Sequence, residues 1–156
     1  MNLLAAYIHR ALYRRNFLYE ENIEYLEGDC TKFVTPFTIT YGGPAYFEDK
    51  EIYINLFVDD KYSLVDVYIT DYVFLKDSMR DFRKELLLDQ INAINKENSL
   101  CRFFIDEDWV KVKYSFDFIP TENLETTADN IVGTIFDNIA HYMADKAIIL
   151  EDLVDY

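Results

Sequence analysis

Val110-Lys111-Val112-Lys113-Tyr114-Ser115-Phe116-Asp117-Phe118 alternates apolar and polar side chains without a fault. Successive residues of an extended chain point to opposite faces, so a period of two describes a strand with one buried face and one wet face. A strand of that kind belongs in an antiparallel sheet covered on one side. Just upstream, Arg102-Phe103-Phe104-Ile105 leads through Asp106-Glu107-Asp108 into this run. The two segments read as a hairpin with an acidic tip.

Working outward, the same period recurs earlier in the chain. Ile52, Ile54, Leu56 and Val58 fall on one face, with Tyr53, Asn55 and Phe57 on the other. After the polar break Asp59-Asp60-Lys61, residues 62–72 resume with Val65, Val67 and Ile69 alternating against Leu64, Asp66 and Tyr68. Two periodic runs around so short a break predict a second hairpin. Phe37-Thr38-Ile39-Thr40-Tyr41 predicts a third strand here, stopped by Gly42-Gly43-Pro44. Residues 16–31 hold Glu20, Glu21, Glu24, Glu27 and Asp29 with no strong period, and read as irregular or a marginal strand with a turn at Gly28-Asp29.

Three segments carry helical spacing instead. Leu3, Leu4, Tyr7, Ile8, Ala11 and Leu12 mark a helix over 2–15, with Asn2 as its cap and Arg14-Arg15 at its C-terminal turn. Met79, Phe82, Leu86, Leu87, Ile91 and Ile94 form a stripe over 79–96, capped by Asp77 or Ser78. Leu124, Ala128, Ile131, Ile135, Ile139 and Tyr142 form another over 121–143, with Thr121 as cap, a break near Asp145, and a terminal turn through Ile148, Leu150 and Leu153. The expected fold is a single α+β domain over 1–156. It has two layers, an antiparallel sheet with helices on one face, in the order α-β-β-β-α-β-β-α.

The chain has 156 residues, with 15 Lys and Arg against 29 Asp and Glu, a net charge of −14. Such a field repels a polyanion and argues against nucleic-acid binding. No stretch approaches 18 uninterrupted apolar residues, and the basic residues His9, Arg10, Arg14 and Arg15 follow the first apolar run where a signal peptide places them before it. The expectation is a cytoplasmic protein without a membrane contact. Cys30 and Cys101 stand apart with no metal-binding spacing around either, and read as reduced thiols.

The motifs of catalysis do not occur. GxxxxGK[ST], GxSxG and HExxH are all absent, and His9 and His141 lie on opposite terminal helices with no ligand-spaced neighbours. Asp106-Glu107-Asp108 lacks the spaced oxygens and bend glycine of a calcium loop and reads as a hairpin tip. No catalytic residue, metal or cofactor is expected. The 13 Tyr and 12 Phe serve mainly as core, with Tyr114 and Phe116, beside Ile131, expected to be buried. Tyr53, Phe57, Tyr68 and Tyr72 fall on the other face of the first sheet segment and form the candidate partner or dimer surface.

Leu86-Leu87-Leu88-Asp89-Gln90-Ile91-Asn92-Ala93-Ile94-Asn95, followed by Ser99-Leu100-Cys101-Arg102-Phe103-Phe104-Ile105-Asp106-Glu107-Asp108, resembles the centre of YbjN-type domains. The resemblance extends over roughly 50–150. It implies the fold of type III secretion chaperones, which are small, acidic, usually dimeric and non-catalytic, and which bind an unfolded client segment. Asn92 and Asn95 then read as residues that cap or bridge backbone groups where helix meets strand.

The leading expectation is therefore a non-enzymatic protein-binding domain, chaperone-like or a regulatory adaptor, acting on a protein client as a homodimer. The alternative is a small ligand-binding domain or enzyme with an aromatic-lined carboxylate pocket. A third reading, an acidic decoy for a nucleic-acid-binding protein, rests on charge alone.

Overall fold

The computed structural model describes residues 3–16, 23–43, 46–59, 64–98, 101–117 and 123–154, with backbone alone at 41–43 and 46–48. Helix α1 (Leu3–Arg14) is followed by strands β1 (Ile23–Leu26), β2 (Cys30–Gly43), β3 (Tyr46–Asp59) and β4 (Leu64–Phe74). Then come α2 (Asp81–Glu97), β5 (Arg102–Asp106), β6 (Trp109–Asp117), α3 (Leu124–Gly133) and α4 (Ala140–Val154). The sheet is antiparallel throughout, in the order β1-β2-β3-β4-β6-β5.

Period-two patterning sets which face is covered. Phe33 and Ile39 of β2, Ile52, Ile54, Leu56 and Val58 of β3, and Val65, Val67 and Ile69 of β4 are buried together with Val110 and Val112 of β6. The described helices pack on that side: α4 lies on β2 and β4, α2 on β5 and α4, and α1 on α3. Arg15, just after α1, is bidentate to Asp137 at 3.1 and 3.2 Å within the helix layer, and Lys50 on β3 reaches Glu151 of α4 at 2.6 Å from sheet to helix. The first pair is exposed and contributes little energy, mainly fixing alignment, whereas the second is part-buried.

The two-layer α+β architecture is the expected one, and several elements depart from expectation in detail. The acidic stretch does supply a strand, β1, which the glycine turn makes possible: Gly28 sits at φ 69°, a conformation that costs glycine nothing. The element order is thus α-β-β-β-β-α-β-β-α. Strand β2 begins at Cys30 and runs on through Gly42 and Gly43, because its ladder with β3 continues from Cys30↔Asp59 to Gly43↔Tyr46. Asn2, Pro44, the turn at 60–61 and the segment Phe118 to Thr121 lie outside the described residues.

The C-terminal helix does not break near Asp145. Its irregularity comes earlier, at Thr134–Ile139, where a turn of π-helix joins α3 to α4 and Ala140 donates to the Ile135 carbonyl. The wider turn keeps Ile135, Phe136, Ile139 and Ala140 all buried. Asn123 caps α3, accepting from the backbone N–H groups of Glu125 and Thr126. Helix α2 starts at Asp81 after Arg80, with no side-chain cap from Asp77 or Ser78. Only its C-terminal half docks: Leu87, Ile91 and Ile94 are buried, whereas Phe82 and Leu86 are about half exposed.

Of the three residues expected in the core, Ile131 is buried and Tyr114 and Phe116 are half-buried. The reason is the short edge strand. β5 pairs with β6 only from Trp109 to Lys113, so the last residues of β6 have no described strand beside them on that side.

Candidate functional site

The face of the sheet opposite the helices is built from alternate residues of β2, β3, β4 and β6. Register places Lys32 beside Phe57, Phe57 beside Asp66, and Asp66 beside Ser115. One row along, Val34, Asn55, Tyr68 and Lys113 stand side by side, and Arg102 of β5 follows. The rings of Phe57 and Tyr68 meet edge to face, 5.7 Å between centroids. A cation lies over each ring: Lys32 Nζ is 5.5 Å from the Phe57 centroid, and Lys113 Nζ 5.3 Å from that of Tyr68. The hydrogen bond between Lys113 and Tyr68 raises the lysine pKa, so the ammonium stays charged.

Around these rings the sheet carries an open concavity of about 540 Å³, lined among others by Asn55, Phe57, Asp59, Leu64, Asp66 and Tyr68. Asn55 is buried at its floor, and its amide donates to the Tyr68 carbonyl at 3.3 Å. Asp66 accepts from Ser115 Oγ at 2.6 Å. Cys30 is half-buried at the rim, and burial first, then Asp59 and Asp66, push its thiol pKa up. A thiol held protonated in this way is a poor nucleophile.

Three of the four expected surface residues share this face. Tyr53 is 37% exposed, its hydroxyl donating to Glu51 at 2.9 Å, and Phe57 and Tyr68 are half-buried. Tyr72 is elsewhere. It is fully buried under the helices, its hydroxyl donating to the Met143 carbonyl and its ring 5.9 Å from Phe103. A bulge explains the correction. Ile69 pairs with Val112 and Val73 with Val110, so β4 carries two extra residues there and Tyr72 turns inward. The sequence reading missed Lys32, Lys113 and Asn55. Their even spacing along each strand was visible, but their proximity depends on cross-strand register.

A second hollow, about 520 Å³, opens beside the π turn and is lined by Asn98, Cys101, Thr134, Asn138 and Tyr142, among others. Burial pushes the Cys101 thiol up to about 11, against a weaker opposing contact from Asn98, so it too is inert near neutrality. Among the described residues no group of three or more His, Cys, Asp or Glu is placed to hold a metal ion, and no helix is long and apolar enough to cross a membrane.

His9 stacks on Phe33 at 6.4 Å and His141 is exposed on α4, so neither reaches the concavity. Asn95 bridges both backbone groups of Phe103, as its place near a helix end suggested, while Asn92 is exposed. Searches against protein-family models, curated proteins and solved structures return no match to this chain.

Proposed function

We propose that this chain is a non-catalytic protein-binding domain, chaperone-like and of the YbjN type, that holds a segment of a client protein against the helix-free face of its sheet. The observation that carries the reading is the Phe57–Tyr68 pair, set on a face no described helix packs against and flanked by Lys32 and Lys113. Aromatic rings with lysines beside them bind an apolar segment through area and an adjoining carboxylate through charge. The surrounding acidic charge keeps the domain dissolved while that face stays open. The same reading makes the unit a cytoplasmic homodimer.

Light scattering tests it. The wild-type chain should suppress aggregation of a chemically unfolded model protein, and the Phe57→Asp, Tyr68→Ser double variant, folded by circular dichroism, should not. Equal suppression by both, or none by the wild type, overturns the reading. The alternative of an aromatic-lined carboxylate pocket is favoured by one observation, the convergence of Asp59 and Asp66 on the Phe57–Tyr68 hollow. A small-molecule complex protecting those residues in solution would move the function to that class.

A further inference from the structure

The helix-free face carries a second pair of aromatic rings. Phe74 of β4 stands opposite Trp109 of β6 in the ladder, and their centroids are 5.2 Å apart. Their neighbours Val73 and Val110 are fully buried under the helices, so alternation turns this pair to the same face as Phe57 and Tyr68. Phe74 is 46% exposed. Lys113 lies beside Tyr68 and Trp109 beside Phe74, so along β6 the two aromatic pairs are separated by about 13 Å.

Between them the face is cationic. Lys111 and Lys113 come to it from β6, and Arg102 from β5. Lys111 is held by Asp106 at 2.8 Å. Arg102 and Lys113 are directly opposite each other across the β5–β6 ladder, and among the described residues neither makes an ion pair. Like charges in that position work against strand pairing. A hollow of about 600 Å³ beside them is lined by Arg102, Lys113 and Ser115 among others, and none of its described lining residues is acidic. In a chain with 29 Asp and Glu against 15 Lys and Arg, the two cations are left for an anion from outside. A carboxylate bridging them would relieve the repulsion and gain charge-assisted hydrogen bonds.

We infer that the client segment carries an acidic side chain between two large apolar ones, in the extended pattern apolar–x–acidic–x–apolar. Its carboxylate sits at Arg102 and Lys113, and its apolar side chains sit on the Phe57–Tyr68 and Phe74–Trp109 pairs. This rests on the client-binding reading and adds the chemistry of the segment. Alternate residues of an extended chain share one side, so positions i and i+4 span about the 13 Å between the aromatic pairs and i+2 falls over the cations. Rings on both sides of the cations make the acid an internal residue and not a chain end. The same cations repel a segment with Lys or Arg at that position.

Blocked peptides test the pattern, acetylated and amidated so that no terminal charge competes. One holds Leu-Ser-Glu-Ser-Leu in a Gly/Ser background, and two others have Gln or Lys in place of the Glu. Trp109 is the only tryptophan and belongs to one of the aromatic pairs, so its fluorescence in the full chain reports binding. The Glu peptide should bind about tenfold more tightly than the Gln peptide at low salt, and the gap should close as salt rises. Phe74→Ser should weaken both. Arg102→Glu combined with Lys113→Glu should reverse the order, so that the Lys peptide binds best. If circular dichroism shows that double variant unfolded, Arg102→Gln, at an exposed position, should still cut the preference for Glu about threefold. Equal binding of the Glu and Gln peptides overturns the inference and leaves the client face standing. A preference for Glu that the charge variants do not alter overturns it as well, and so does tighter binding of a short oligonucleotide. Binding of no peptide also overturns it, and the light-scattering comparison of wild type with Phe57→Asp, Tyr68→Ser then decides whether the client reading falls with it.

Discussion

Asn95 satisfies both backbone groups of Phe103: its Nδ2 donates to the Phe103 carbonyl at 2.9 Å, and its Oδ1 accepts from the Phe103 N–H at 2.8 Å. Asn98 does the same for Cys101, at 3.2 Å in each direction. β5 is the edge of the sheet, and these two amides occupy the flank where another strand would pair. This edge of the sheet is thus closed by side chains at the C-terminal end of α2.

Asn95→Ala should destabilise the fold by about 1–3 kcal/mol, because two backbone groups lose their partner at a partly buried site. Asn92→Ala, on the exposed side of the same helix, should stay within about 0.5 kcal/mol of wild type. Urea denaturation of the two variants provides the comparison, and equal effects would remove the clamp from the account.

Phe103→Ala should cost about 3–5 kcal/mol, since Phe103 is fully buried against Tyr72 and Tyr142. Phe116→Ala should cost only about 1–3 kcal/mol, in keeping with its half-buried place at the end of β6. The order of the two unfolding midpoints is the measurement. A reversed order would show that the helix layer reaches further along β6.

Glu107→Gly should stabilise the protein by about 0.5–1 kcal/mol. Glu107 opens the two-residue turn between Asp106 and Trp109 at φ 55°, a left-handed conformation that costs a residue with a Cβ and not glycine. The gain in glycine's unfolded-state entropy offsets part of the relief. Thermal unfolding reads the result directly.

Alkaline pH should weaken the fold. Burial raises the pKa of Cys101 from 9.0 to about 11, and burial raises those of Tyr114 and Tyr142 as well. Each group keeps its proton longer folded than unfolded, so its contribution is complete below the unfolded pKa and disappears as pH rises through the folded one. For Cys101 that window is 9.0 to about 11. Denaturant midpoints measured across it should fall with pH, and Cys101→Ala should flatten part of the decline.

Element type was legible wherever a period ran unbroken. The nine residues from Val110, the runs at 52–58 and 64–69, and the stripes on the three helical segments all carry their structure in local spacing, because strands and helices alternate their side chains at fixed intervals. Even the bridging role of Asn95 followed from its place near a helix end. The position of Tyr72 did not, since a bulge between Ile69 and Val73 carries no signal in the alternation that precedes it.

By itself, the sequence determined a two-layer α+β domain, the covered face of its best strands, and the absence of the common catalytic motifs. It also placed Tyr53, Phe57 and Tyr68 on one face. Only the tertiary structure decided that β1 exists, that the last helix bends through a π turn at Thr134–Ile139 and continues to Val154, and that Lys32 and Lys113 cap the two aromatic rings. Side-chain periods are local, whereas register, edges and neighbours across strands arise from pairing between residues far apart in the chain, where the energy of packing and not the spacing of one segment chooses among alternatives.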